Sequence, residues 1–243
     1  MDQHRALSEP LVLAVESATS RLSVALLRGE TLLGQGSPRT LGPHAEQILP
    51  LVDSILEEAG CCASDPDVFA VSIGPGSFTS LRVGLATVKG LAFGSSRPIV
   101  AVPTLEALAF GTLSWESSLP RVPLLDARRG ELYAAVFDVE GGELVERVGE
   151  GLFSPAELAR VLPESSLLVG EGAALFGEEL QALAGVELPA CLERDVLAPR
   201  AESVGRCALL RLPADAAADG FLAPRYIRRA EAEATRTNRA VED

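Results

Sequence analysis

The chain has 243 residues, 47% of them hydrophobic and 23% charged, with a formal net charge of −13. Exchanging its two Tyr for its 22 Gly in the apolar count raises that share to about 55%, above the roughly 45–50% of ordinary globular domains. These figures exclude a disordered polyelectrolyte and argue against a stand-alone nucleic-acid binder, and the length provides for one large domain or two of roughly 100–130 residues.

Taken in chain order, the N-terminal MDQHRALSEP is polar, and the apolar run Leu11–Val15 is too short for a signal-peptide core or a membrane span. A cytoplasmic protein is expected. Leu11–Glu16 and Leu22–Leu27 read as strands joined by a turn at Ser17–Arg21, with a third strand near Glu30–Gly36. Pro43 opens a helix to Gly60 with Ala45, Ile48, Val52, Ile55 and Ala59 on one stripe. Val68–Ile73 is a buried strand, a Gly-Pro-Gly turn follows, and Phe78–Phe93 reads as a long apolar helix. Pro98–Val102 is the next strand and Leu105–Leu113 a helix.

The plan then repeats. Val122–Leu125 and Leu132–Val139 are strands around the turn Asp126–Glu131, Glu143–Val148 is a third, and Pro155–Leu162 a helix. Leu167–Val169 is a strand, and Ala174–Leu183 and Arg200–Arg211 are helices. The order β-β-β-α-β-α thus occurs twice, with LAVESATSRLSVALL in the first half set against LLDARRGELYAAVF in the second. A duplication explains this, since each mixed sheet needs helices to cover it. The expected fold is α/β with two lobes, 1–115 carrying the dimerisation helices and 116–243 ending in a basic tail.

The segments SIGPGSFTSLRVGLATVKGLA, VESATSRLSVAL, DARRGELYAAVF and PRYIRR, set in this duplicated pattern, resemble the TsaB (YeaZ) family, from about Leu11 to Arg229. The resemblance implies a duplicated actin-like ATPase (ribonuclease-H-like) fold. It also implies a non-catalytic scaffold that pairs with the homologous subunit TsaD, which transfers a threonylcarbamoyl group to the adenosine next to the anticodon of tRNAs. The small ATPase TsaE would complete the complex, and the chain alone would form a homodimer. RNA would then be met only indirectly, through the complex. No cofactor would be tightly bound, ATP or ADP being placed, if anywhere, at the complex interface. The alternative is a stand-alone small ATPase or kinase of the same superfamily.

The residues bear on this choice. Glu16 and Asp126 end the first strand of each half, where the superfamily's ATPases keep acids near the nucleotide's metal, and the family usually has Asp at the first position. The turns after them, Ser17-Ala18-Thr19-Ser20 and Ala127-Arg128-Arg129-Gly130, lack the glycines that let a backbone cradle phosphate. Asp126 reads as a turn cap paired with Arg128, while Arg128 and Arg129 suggest an acidic partner or a bound anion. Gly74, Gly76, Ser77 and Thr79 form a tight turn that opens a helix; Ser77 as a cap is favoured, with a weak anion site left open. His44 has Ile48 four residues on, so the helical His-x-x-x-His pair of the family's metal-dependent catalyst is incomplete, and no metal site is expected. Cys61, Cys62, Cys191 and Cys207 form no C-x-x-C pair and read as small core hydrophobes of a reducing compartment.

The apolar surplus collects in two helices. Phe78–Phe93 has a core stripe (Phe78, Leu81, Leu85, Val88, Ala92), yet Val83, Ala86, Gly90 and Phe93 cover much of the rest. Pro43–Gly60 adds Leu49, Leu51 and Leu56 off its stripe. Either inserted loops or the second half of the chain cover these faces, or a partner does, and the resemblance favours the partner. The expected contact residues are His44, Ile48, Leu49, Leu51, Val52, Leu56, Phe78, Arg82, Leu85 and Lys89. Five arginines lie among the last 23 residues (Arg225, Arg228, Arg229, Arg236, Arg239); a basic tail could touch RNA, but a solvated terminus is the favoured reading.

Overall fold

A computed structural model of the chain describes residues 9–40, 42–115, 117–185, 198–212 and 222–228. Two compact units make it up. The first takes the chain to residue 73, then 79–102 and 200–223; the second takes 74–78, 103–199 and 224 onward.

In the first unit β1 (Leu11–Glu16) is buried along its whole length, which is why it is a continuous apolar run rather than an alternating one. It pairs antiparallel with β2 (Ser23–Arg28), Leu13 opposite Leu26, and parallel with β4 (Val68–Ser72). β3 (Thr31–Gly36) and β5 (Ile99–Val102) complete the order β3-β2-β1-β4-β5. Leu11, Leu13 and Val15 point to the face covered by α1 (His44–Glu58) and α2 (Phe78–Ser95). The other face belongs to α6 (Ala201–Arg211), where Gly205 permits the approach: a Cβ there would stand 2.4 Å from the Leu27 side chain. Pro50 sits inside α1, an interior proline that its apolar stripe does not announce.

The second unit repeats the plan with β6 (Arg121–Arg128), β7 (Glu131–Glu140), β8 (Glu143–Phe153) and β9 (Leu167–Val169) in the order β8-β7-β6-β9. Antiparallel and parallel pairings fall where they do in the first sheet. One face buries Leu124, Ala134 and Leu168 against α4 (Pro155–Ala159), which a Ser154–Glu157 capping box starts, and α5 (Glu171–Ala184). The opposite face buries Leu125, Ala135 and Val169 against Leu105 and Leu108 of α3 (Thr104–Phe110).

The duplicated mixed α/β fold is therefore present, but a single cut at residue 115 does not divide it. Helix α3 covers the second sheet although it precedes that sheet in the chain, and α6 returns to the first. Each sheet needs a helix on its second face, and the chain supplies each from beyond its own half. The element ends also shift: β8 runs on to Phe153, and α4 stops at Ala159.

Sequence reading also missed Arg121, which is fully buried. Its guanidinium donates to the Thr112 hydroxyl at 3.0 Å and to the carbonyl oxygens of Ser117 (2.9 Å) and Leu119. It ties the segment after α3 to the start of β6, and burial holds its pKa below the usual arginine range.

Candidate functional site

Burial separates the inner from the outer sides of α1 and α2. Ile48, Val52 and Leu56 of α1 and Leu85 of α2 are at most 3% exposed and lie in the first unit's core, so these four expected contact residues are core residues. Their misplacement has a simple cause. Ile48, Val52 and Leu85 lie on the stripes that spacing assigns to the core, the contact set took residues from both sides of each helix, and on α2 the buried side is Leu81, Gly84, Leu85, Val88 and Ala92. Leu51 packs half-buried on the same core. Phe78 stacks on Tyr226 with ring centroids 4.9 Å apart, and the Lys89 ammonium donates to the Leu222 carbonyl oxygen at 2.5 Å. Both therefore have contacts within the chain that span more than 130 residues of sequence, beyond the reach of local pattern reading.

What faces outward is different. Leu49 is 47% exposed and Arg82 is exposed, while His44 is half-buried with its Nδ1 unmet by any described group. On α2 the outer side carries Thr79, Ala86, Gly90, Phe93 and Gly94, with Phe93 83% exposed beside the small residues. The spacing Ala86–Gly90–Phe93 placed Phe93 on that face in the sequence, although it was not among the expected contact residues. Conversely Ala45, expected in the α1 core stripe, is exposed.

The end of β1 is closed. Glu16 is 0% exposed, its Oε1 accepts the Ala18 N–H at 2.5 Å, and its Oε2 is buried with no partner among the described residues. Burial raises its pKa from 4.5 to about 7, opposed by hydrogen bonds from Ser72 and Ala18. The turn beside it is sealed by α2: the Ser17 hydroxyl donates to the Ser80 carbonyl oxygen at 3.1 Å, and a Cβ on Gly84 would stand 2.0 Å from the Ser17 Oγ. Ser17, Ala18 and Thr19 are all buried. An acid so enclosed does not present a carboxylate to a solvated metal–nucleotide. Asp, His, Cys and Glu gather in no group of three that fits a metal ion among the described residues.

The turn at Gly74–Thr79 is committed internally. The Gly74 N–H donates to the Thr104 hydroxyl at 3.0 Å, the Gly74 carbonyl accepts the Thr104 N–H at 2.8 Å, and Pro75, joined by a cis peptide bond, has no N–H. Gly74 therefore has no amide to offer the weak anion site that the sequence left open. Gly76 is half-buried, and Ser77 and Thr79 are exposed.

The equivalent turn in the second unit is open. Asp126 accepts the Arg128 N–H at 2.7 Å on Oδ1 and meets the Arg128 guanidinium at 3.0 Å on Oδ2, the cap and pair expected of it. Arg128, Arg129 and Gly130 have φ of 67°, 60° and 80°, and all three are exposed. Two segments of chain meet here. Arg228 donates to the Ala127 carbonyl oxygen at 2.5 Å and pairs with Glu131, while Arg225 meets Glu150 at 2.9 Å. Arg228 is thus docked rather than solvated, while Arg225 stays exposed with one edge on Glu150; Arg229, Arg236 and Arg239 lie outside the described residues. Burial raises the pKa of Tyr133 nearby, and the Arg228 charge opposes it. Of the cysteines, Cys207 is buried, Cys61 half-buried and Cys62 exposed, so Cys62 is not the core residue expected; Cys191 lies outside the described residues.

Comparison with known proteins places these features. The family described as TsaD, tRNA N6-adenosine threonylcarbamoyltransferase, matches residues 39–236. The Bacillus subtilis tRNA threonylcarbamoyladenosine biosynthesis protein TsaB is 28% identical over 228 residues, 92% of this chain and 96% of that protein. YeaZ from Pseudomonas aeruginosa superposes with a TM-score of 0.75 at 27% identity, over 89% of this chain and 99% of that one. Component A of the Acidaminococcus fermentans (R)-2-hydroxyglutaryl-CoA dehydratase shares the fold at a TM-score of 0.51 and 11% identity, over 83% of this chain and 98% of that one.

Proposed function

The chain belongs to the TsaD family and, within it, to the TsaB (YeaZ) members, and from that premise we propose that it works by pairing with a TsaD-type catalytic subunit through the outer sides of α1 and α2. It is an accessory subunit of tRNA threonylcarbamoyladenosine biosynthesis rather than the catalyst. The observation that carries the pairing is the outer side of α2, where Phe93 stands 83% exposed beside Ala86, Gly90 and Gly94. Small residues let a second helix approach closely, and an exposed aromatic supplies an anchor of the kind that dominates interface energies.

The mechanism is a population shift. A subunit that binds one arrangement of its catalytic partner better than another favours that arrangement by its differential affinity. Chemistry, metal and most RNA phosphate contacts would fall to the other subunits, and the acidic surface here would keep RNA from the wrong face. TsaE would complete the assembly, a homodimer would use the same helices when the catalytic subunit is absent, and any ATP or ADP would sit between subunits rather than at the enclosed Glu16. The setting would be the cytoplasm, where tRNA is modified. No helix among the described residues is long and apolar enough to cross a membrane.

Size-exclusion chromatography with light scattering, on the chain mixed with a TsaD-type subunit, tests the pairing. A heterodimer mass is expected for the unaltered chain and separate masses for Phe93→Asp, whose circular dichroism stays unchanged because the residue is exposed. If Phe93→Asp still formed the heterodimer, the proposed surface would be wrong. The rival, an ATPase working alone, requires micromolar Mg-ATP binding by the isolated chain in calorimetry; no heat of binding is expected.

A further inference from the structure

We propose that the β6–β7 hairpin tip, with Arg128 and Arg129 at its end and Arg228 docked behind it, is a contact site for the phosphodiester backbone of RNA. This rests on the accessory-subunit reading, which brings the chain to tRNA, and it adds one direct contact where only an indirect meeting was expected.

Backbone geometry is the first support. Arg128 and Arg129 both hold φ near +60°, a region that L side chains enter only under strain and that glycine enters freely. The β6–β7 turn therefore holds two arginines in a conformation for which glycine is the easier choice, and both end at the surface. The Arg128 side chain is 85% exposed even while one edge meets Asp126.

Charge is the second. This chain carries −13 overall, yet Arg228 joins Arg128 and Arg129 at this end of one hairpin, and Arg225 pairs with Glu150 on the neighbouring β8. The acids among them, Asp126, Glu131 and Glu150, each face an arginine. Arg228, through its bond to the Ala127 carbonyl, fixes the backbone one residue before the tip. Planar guanidinium forks match phosphate oxygens in pairs, and an exposed tip reaches along a polyanion better than it encloses a small anion.

The test compares Arg128→Gly/Arg129→Gly with a control of equal charge loss, Arg97→Gln/Arg147→Gln, in the complex with a TsaD-type subunit. Glycine suits the tip's backbone, so the double variant keeps or raises its melting temperature. Binding of a fluorescein-labelled tRNA transcript is measured across a salt series. The tip variant is expected to lose about tenfold in affinity and to lower the slope of log K against log salt by about 2, and the control to match the unaltered complex. Equal losses in both variants, or none in the tip variant, would overturn the proposal. So would unchanged RNA binding with a weakened heterodimer, which would make an acidic protein surface the partner. If no heterodimer formed at all, the accessory-subunit reading would fail, and the same two variants in the isolated chain at low salt would decide the arginine claim by the same criteria.

Discussion

The two halves of the chain each open with a strand that ends in an acid and turns back, and the two turns have opposite fates. After Glu16 the turn is buried, its Ser17 hydroxyl bonded to α2 and its carboxyl enclosed. After Asp126 the turn projects, its acid paired with Arg128 and its tip exposed. In a duplicated fold these are the same place twice. One copy is core and the other a presented edge. The divergence at the turns leaves the four strands common to both sheets in the same pairing order, β5 being an addition of the first.

Disrupting the helix that seals the first turn costs the most stability. Leu85→Asp buries a charge on the inner side of α2, 3% exposed, and is expected to remove about 4 kcal/mol or more, so that circular dichroism shows no cooperative unfolding transition. Next comes the enclosed carboxyl. Its folded pKa of about 7 lies above 4.5, so the folded state holds the proton more tightly than the unfolded one. The stability it contributes is fully present below pH 4.5 and is lost as pH rises through 7, in total about 3 kcal/mol. Urea midpoints measured between pH 5 and 8 should fall for the unaltered chain and stay level for Glu16→Gln.

A smaller loss, about 1–3 kcal/mol, is expected for Gly84→Ala, because its Cβ meets the Ser17 Oγ at 2.0 Å and the turn must shift. Thermal melts would show it. At the open turn the sign reverses: Arg129→Gly releases a strained backbone and should raise stability by up to about 1 kcal/mol, read as a higher melting temperature. A fall instead would mean that the Arg129 side chain outweighs that strain.

Much of this architecture was legible in the residues. β1 and β9 have the bounds their apolar runs predict, and the repeat of strand–acid–turn–strand announced the duplication. Non-local pairings were not legible. Nothing in α3 or α6 says which sheet it will cover, Arg121 carries no mark of burial, and Phe78 could not show that Tyr226 would meet it. The candidate surface was half legible. Composition revealed that α1 and α2 hold more apolar residues than one core needs, and spacing marked their core stripes, but the contact set took residues from both sides of each helix. Four contact residues consequently proved to be core, while Phe93 stood outside.

Threonylcarbamoyl transfer to tRNA by a TsaD-type subunit, measured with the unaltered chain, Glu16→Gln and Phe93→Asp, tests the central claim that this chain acts by docking and not by its own acids. Unaltered chain and Glu16→Gln should support transfer equally, and Phe93→Asp should not support it. Loss of transfer with Glu16→Gln, while the heterodimer still forms, would contradict that claim and return the buried carboxyl to the chemistry.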